Sequence, residues 1–263
     1  MQTRTGENVS NKADSNLMEP EIYCQMRDVE DSHWWFVSRR AIIATVIATL
    51  DLPSEARILD VGSGTGGNLE MLSCFGSVTG IEADDMAIAL CSSRNSAMVL
   101  KGSLPEDLPD FPEKFDLIIM LDVLEHIDED LATLKSLERL LSPKGALVVT
   151  VPAFPFLWSD HDIQHHHKRR YRYSTLKSAI QNSGLRVCHM TYYNSWLFPI
   201  IAAVRLFRKV KPSRVTGRDI RVPSPIINRT LTALFTSEKR LVTRMRFPFG
   251  TSILAIAMKN NEK

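Results

Sequence analysis

A chain of 263 residues, 44% of them hydrophobic, with 32 basic and 30 acidic side chains and a net charge of +2, can bury a full α/β core and still carry an insertion. No apolar run approaches the roughly 18 residues needed to cross a bilayer, and no charged-then-apolar leader opens the sequence, so a cytoplasmic protein is expected. Cys24, Cys74, Cys91 and Cys188 are widely spaced and form no CxxC pair, which argues against a disulfide framework and suits buried thiols in a reducing compartment.

Residues 1–18 mix Thr, Asn, Ser, Glu and Lys with almost no large apolar side chain, a composition that cannot offset the entropy of ordering, so a mobile tail is expected there. Residues 19–57 read as an N-terminal helical cap. Tyr23, Met26 and Val29 lead to His33-Trp34-Trp35-Phe36 and a helical run from Arg39 to Leu50. Trp34 and Trp35 admit two readings, a wall of an acceptor pocket or plain packing of the helix on a sheet.

Ile58 to Asn68, ILDVGSGTGGN, carries the strongest local signal. Ile58, Leu59 and Val61 read as a buried parallel strand that runs into Gly62, Gly64, Gly66 and Gly67, followed by a helical pattern with Leu69, Met71 and Leu72. Missing β-carbons let a ligand approach the main chain, and the N–H groups at a helix start favour an electron-rich partner. The next apolar strand, Val78 to Ile81, ends in Glu82, whose two acceptor oxygens suit a ribose diol. The spacing GxGxGG is not the GxGxxG of a dinucleotide loop.

DVGSGTGG followed by GIEADDMAI resembles the nucleotide-binding half of class I S-adenosylmethionine-dependent methyltransferases. HWWFVSRR, LDVLEH, VPAFPFLWSDHD and HKRRY are similar to a bacterial branch of the methyltransferase type 11 group, and together the resemblance covers about Glu30 to Met258. It implies S-adenosylmethionine as cofactor, with Gly62, Ser63, Gly64 and Gly66 along the methionine portion, Asp60 serving its amino group through the loop, and Glu82 with Ala83 at the ribose.

After a helix expected over Asp84 to Ser93 and a short strand over Ala97 to Leu100, the chain reads Lys101-Gly102-Ser103-Leu104. The family often has an acid lining the adenine where Ser103 stands, so the resemblance assigns that contact to Ser103 and Leu104 through their backbone amides. Phe115 to Leu121 is the fourth strand. It delivers Asp122 and then His126 to the carboxyl end of the sheet, which faces the ligand crevice; His126 is either a base or pocket-shaping group beside the methyl, or a structural histidine. Asp128, Glu129 and Asp130 open an amphipathic helix with Leu131, Leu134, Leu137, Leu140 and Leu141 on one face, and Ala146 to Val151 is the fifth strand.

Pro152 to Tyr173, PAFPFLWSDHDIQHHHKRRYRY, then packs four histidines, two acids and four basic side chains into one loop, a position that carries function more often than framework. His161, Asp162 and His167 could supply a proton acceptor. His161, His165 and His167 with Asp162 could hold a transition metal, although no helical or CxxC spacing enforces it and no metal is expected. Lys168, Arg169, Arg170 and Arg172 could clamp an anionic group. The resemblance singles out Trp158, His161, Asp162, His167, Arg169, Arg170 and Tyr171, with His165 and His166 in a variable spacer. The expectation is His161 or His167 as base or orienter, Asp162 fixing an imidazole tautomer, and Trp158, Arg169, Arg170 and Tyr171 holding the acceptor.

Ser174 is expected to cap a helix ending at Gly184, and Leu185 to Tyr193 to form the sixth strand. Residues 193–249 form an inserted cap, apolar from Trp196 to Phe207, with eight basic residues (Arg205, Arg208, Lys209, Lys211, Arg214, Arg218, Arg221, Arg229) against the single acid Asp219 up to Arg229. Such a segment fits peripheral contact with an anionic membrane surface, a lid on a lipidic or phosphorylated acceptor, or a helix packed with a solvated basic edge. Aromatics are not interleaved with these charges and no nucleic-acid module is recognised, so no nucleic-acid partner is expected.

The expected architecture is a Rossmann-like seven-stranded methyltransferase sheet with helices on both faces. Residues 58–192 form its core, residues 250–263 supply an antiparallel closing strand, and N-terminal and late-inserted caps lie over the acceptor. The expected activity is methyl transfer to an oxygen or nitrogen of a small or lipid-linked, anionic acceptor, in the cytoplasm or at the inner face of the membrane. A methyltransferase acting on a protein or carrier-bound intermediate, a non-catalytic cofactor-binding module and a nicotinamide-dependent oxidoreductase are the rivals.

Overall fold

The computed structural model describes residues 20–94, 97–210 and 221–260. The expected tail, and Lys211, Arg214, Arg218 and Asp219 of the basic segment, lie outside these. In chain order come α1 (Pro20–Val29), α2 (Trp34–Ile47), β1 (Arg57–Val61), α3 (Leu69–Ser73), β2 (Ser77–Glu82), α4 (Asp85–Ser92), β3 (Met98–Lys101), β4 (Phe115–Leu121), α5 (Asp130–Leu140), β5 (Leu141–Pro152), α6 (Asp160–Gln164), α7 (Tyr173–Asn182), β6 (Leu185–Tyr193), α8 (Phe198–Val210), α9 (Pro225–Thr236) and β7 (Ser252–Lys259).

Because a strand's side chains alternate between faces, strands buried on both sides carry near-continuous apolar runs, as residues 117–121 of β4, 146–149 of β5 and 253–257 of β7 do. Leu117, Ile119 and Leu121 of β4 join one core with Ile42 and Ile43 of α2 and Leu69 of α3. Ile118 and Met120 join the other, with Leu134 and Leu137 of α5 and Leu176 of α7. The sheet order is β3-β2-β1-β4-β5-β7-β6, parallel from β3 to β5, with β7 antiparallel to both its neighbours. The order reverses beside β1, so the crevice opens past the carboxyl ends of β1 and β4, the ligand position in doubly wound sheets.

Three local expectations are corrected. The cap of α7 is Arg172 rather than Ser174: its backbone N–H donates to Thr175 Oγ1 at 2.9 Å, so Ser174 lies inside the first turn. The apolar face of α5 is narrower than its leucines suggest, with Leu131 36% exposed and Leu141 already in β5, paired with Phe115. Of the four thiols only Cys91 is buried, while Cys24 and Cys74 are exposed, so their contexts are less apolar than their neighbours imply.

The late insertion divides in two. α9 lies along α2, where Asn228 Oδ1 accepts from the Trp34 N–H at 2.9 Å and Ser38 Oγ donates to the Thr232 carbonyl at 3.2 Å. α8 instead reaches the loop after β5, through Arg205 to the Leu157 carbonyl and Lys209 to the Phe156 carbonyl. No helix among the described residues is long and apolar enough to cross a membrane.

Candidate functional site

A cavity of about 1080 Å³ runs from the glycine loop, past the end of β4, to the histidine-rich loop and α8. Gly62 (φ +71°), Gly64 (φ +54°) and Gly66 (φ +81°) bend the chain through left-handed conformations that side-chain-bearing residues rarely adopt. A β-carbon on Gly62 would stand 2.5 Å from Val123 Cγ2, so glycine is required there for space as well as conformation. Gly62, Ser63, Gly64, Thr65 and Gly67 line the cavity. Gly66 does not; it packs towards Cys91.

Glu82, 8% exposed, ties the second strand to this loop. Its Oε2 accepts from the Gly64 N–H at 2.8 Å, and its Oε1 from Ala83 at 2.8 Å and Asp84 at 3.1 Å. Burial raises its pKa, against those three hydrogen bonds. Oε1 already takes two donors, whereas Oε2, with one, keeps lone-pair capacity for a further donor such as a ribose hydroxyl. Asp60 lies beneath the loop with Oδ2 buried and without a hydrogen-bond partner among the described residues. Burial pushes its carboxyl up to about 7, against the opposing charge of Arg39.

Ala83, Ser103, Leu104 and Asp122 also line the cavity, whereas Asp60 does not. The amide of Ser103 is committed elsewhere, donating to the Asp107 carbonyl at 2.7 Å while the Asp107 N–H returns to the Ser103 carbonyl at 2.9 Å. The expectation that this amide serves an adenine is therefore corrected, and Asp107, itself on the cavity wall, is the nearby acid that the sequence reading passed over.

Several site residues escaped sequence reasoning. Arg39 of α2 reaches across to Asp122, forming a partly buried ion pair. Glu30, 4% exposed, accepts from Thr65 Oγ1 at 2.7 Å and from Arg94 at 2.6 Å, bracing the glycine loop from outside. Their signal was faint: Arg39 sits inside the HWWFVSRR segment, and Glu30 is one acid in a polar helix end.

The histidine-rich loop folds around Asp162, which is fully buried. Its Oδ1 accepts from Arg170 Nε at 2.6 Å and contacts His167 Nδ1 at 2.9 Å, while Oδ2 accepts from the Ser159 N–H at 2.8 Å. Burial alone would raise this carboxyl, but the His167 hydrogen bond and the Arg170 charge hold it well below the usual carboxylate range. An ionised carboxylate only accepts, so Nδ1 of His167 carries a proton; in the neutral ring Nε2 then keeps its lone pair.

His161, His167, His126 and Arg170 all line the cavity, as do Trp34 and Trp35, although Trp35 also stacks on Phe235 at 5.3 Å. Burial lowers His126 to about 3 and holds His161 well below the ordinary imidazole range. Trp158, Arg169 and Tyr171 are not on the cavity wall. Arg169 pairs with Asp128 and Asp130, and the Tyr171 hydroxyl donates to Asp130 at 3.0 Å, so these two hold the loop against α5.

A parallel sheet with an antiparallel last strand, a glycine loop after its first strand and an acid closing its second defines the class I S-adenosylmethionine-dependent methyltransferase domain. The chain belongs to the family described as "Methyltransferase domain", whose model matches residues 34–190.

It is 34% identical over 104 residues to a mitochondrial ubiquinone biosynthesis O-methyltransferase of Schizosaccharomyces pombe, covering 37% of this chain and 38% of that one. It is 30% identical over 129 residues to a demethylmenaquinone methyltransferase of Tropheryma whipplei, covering 46% of this chain and 48% of the relative. The matched region thus spans less than half the length of either. Among solved structures, a chain from the complex of the Haloferax volcanii Trm112 methyltransferase activator shares the fold with a TM-score of 0.59 at 16% identity, covering 92% of this chain and 96% of that one.

The residues present fit the cofactor: the glycine loop lines the cavity, and the buried, unpartnered Oδ2 of Asp60 lies beneath that loop, off the cavity wall, where its charge would act on an ammonium across the loop. A pH dependence follows. An Asp that titrates near 3.9 when unfolded and at about 7 when folded binds its proton more tightly in the native state. Stability therefore falls as pH rises from about 4 to about 7. A cationic ligand favours the ionised form, so cofactor affinity should increase as pH rises from 6 to 7.5, with proton release seen by calorimetry in buffers of different ionisation enthalpy. Asp60→Asn should flatten this profile; a pH-dependent affinity surviving in that variant would assign the proton elsewhere.

Proposed function

We propose that the chain transfers the methyl of S-adenosylmethionine to a hydroxyl of a small, lipid-linked acceptor. The carrying observation is one continuous cavity, which at about 1080 Å³ is at the upper end of ligand sites and has room for a nucleoside beside Glu82 and a second molecule beside His161 and His167. The acceptor end is lined by Ile200, Ile201 and Val204 together with Arg170, Arg205 and Arg208, a mixture that suits an apolar tail carrying a negative or polar head. The curated relatives named for ubiquinone biosynthesis and demethylmenaquinone methylation support an acceptor of that kind.

Bound S-adenosylmethionine would supply an activated methyl. The acceptor oxygen would displace it with the C–S electron pair returning to sulfur, and in-line positioning by the cavity would supply much of the rate. The acceptor proton passes to a neutral imidazole. Asp162 holds His167 in the tautomer that could take it, the role a buried carboxylate plays for a base histidine. His161→Ala and His167→Ala should each lower turnover by about 10²-fold or more, the scale of a lost general base, with cofactor affinity within about twofold. Unchanged turnover in both would retire the imidazoles as bases.

The acceptor test is mass spectrometry of host lipids and metabolites incubated with protein and methyl-labelled cofactor. A product heavier by one methyl group supports the reading. Tight cofactor binding with no methylated product from any extract would instead favour a non-catalytic module.

A membrane-facing placement rests on α8, where Ile200 is 64% and Phe207 67% exposed beside Arg208 and Lys209. Sedimentation with anionic vesicles should exceed that with neutral ones, and Phe207→Glu should weaken it about tenfold. Equal recovery in the two vesicle types would leave α8 as a lid alone.

A further inference from the structure

Glu125 sits in the short helical turn Leu124–His126 and is fully buried. Both of its carboxylate oxygens lack a hydrogen-bond partner among the described residues. An acceptor group sealed from water without a donor costs free energy unless a proton or a cation accompanies it. No side chain among the described residues reaches either oxygen with a hydrogen-bond donor. His167 Nε2 is 3.9 Å from Glu125 Oε1 and, with Nδ1–H committed to Asp162, presents a second lone pair to the same space. His126 packs edge-on against His167 with ring centroids 4.7 Å apart, and one ligand atom from each of Glu125, His126 and His167 lies within 4.8 Å of the others.

We infer that Glu125, His126 and His167 form a divalent transition-metal site at the acceptor end of the cavity. Two imidazoles and a carboxylate are a donor set that holds zinc-like ions with one position open. Bonds of about 2.1 Å put tetrahedral ligand atoms about 3.4 Å apart, so ligand atoms now up to 4.8 Å apart must close by at most about 1.4 Å, a shift within reach of side chains. Asp162 is placed to orient the site: it holds the far nitrogen of His167, as carboxylates commonly do behind a metal-bound histidine. Sequence spacing hid the site, because Glu125 and His126 follow the fourth strand while His167 comes forty-one residues later, in the loop after the fifth.

All three residues line the cavity, so the open position faces bound ligands. On the methyltransferase reading it would take an oxygen of the acceptor, and with Nε2 of His167 bound to the ion the proton would pass to His161, which also lines the cavity; the binding of the ion itself does not depend on that reading.

The test uses the full chain, stripped by chelator and titrated with Co2+ or Zn2+ alone. One ion per chain is expected, with the visible absorption of Co2+ taking the intense form of a four-coordinate site. Glu125→Gln and His167→Ala should each weaken binding at least tenfold, and Asp162→Asn by 10- to 100-fold, with circular dichroism confirming that each variant is folded. His166→Ala should bind like the parent. Absence of stoichiometric binding would overturn the inference, as would binding that survives in both Glu125→Gln and His167→Ala or is lost in His166→Ala. Methyl transfer with no ion bound would remove the site and leave the proposed function, whereas ion binding without cofactor binding would do the reverse.

Discussion

Replacing Glu82 by Ala is expected to weaken S-adenosylmethionine binding by about 1.5–3 kcal/mol, the range for hydrogen bonds to a charged group, or about 10- to 150-fold in Kd. Two effects combine. On the proposed function the lone pair left on Oε2 would no longer be offered to a ribose hydroxyl, and the glycine loop would lose the acceptor that fixes the Gly64 N–H and those of Ala83 and Asp84. Glu82→Gln separates them: one amide oxygen can still accept from the backbone, so the loop keeps part of its support while the charge is gone. Isothermal calorimetry measures both. An affinity within twofold of the parent in Glu82→Ala would take Glu82 out of the site.

Asp162→Ala is expected to destabilise the fold by about 3–5 kcal/mol, the cost of breaking a buried ion pair and leaving its partner charged and unpaired. Arg170 is 8% exposed and, among the described residues, would keep its bond to the Ala153 carbonyl, 2.8 Å from Nη1, without a carboxylate partner. The Ser159 N–H and His167 Nδ1 would lose their acceptor together.

The pH dependence has a definite sign. With its folded pKa depressed, the carboxylate stabilises fully above its unfolded value near 3.9, and that contribution is lost as pH falls through the folded value. Urea denaturation at pH 7 reads the difference, and the gap between parent and variant should narrow below pH 4. A loss under 1 kcal/mol at pH 7 would show that the loop does not depend on this carboxylate.

The strands were legible because burial on both faces leaves near-continuous apolar runs, and Phe115–Leu121 and Leu185–Tyr193 fall where hydrophobicity alone puts them. The cofactor crevice was legible for a related reason: a strand feeding glycines, then a strand ending in an acid, is a local pattern. The cap of α7 was not, because Ser174 is a better capping residue than Arg172 and only the backbone path selects between them. Nor was the committed amide of Ser103, which depends on Asp107 folding back against it.

The acceptor end shows the same division more sharply. His161, Asp162, His167, Arg169, Arg170 and Tyr171 stand within eleven residues of one another, and sequence could name them as a group. It could not say that Arg169 and Tyr171 turn towards Asp128 and Asp130 while Arg170 turns inward to Asp162. By itself the sequence determined the sheet, the glycine loop and the acid beside it, since each is a short-range pattern of apolar period and missing β-carbons. Only the tertiary structure decided which charges meet. Arg39 with Asp122, Glu30 with Thr65 and Arg94, and Glu125 beside His167 are pairs tens of residues apart, and their energies exist only once folding has removed the water between them.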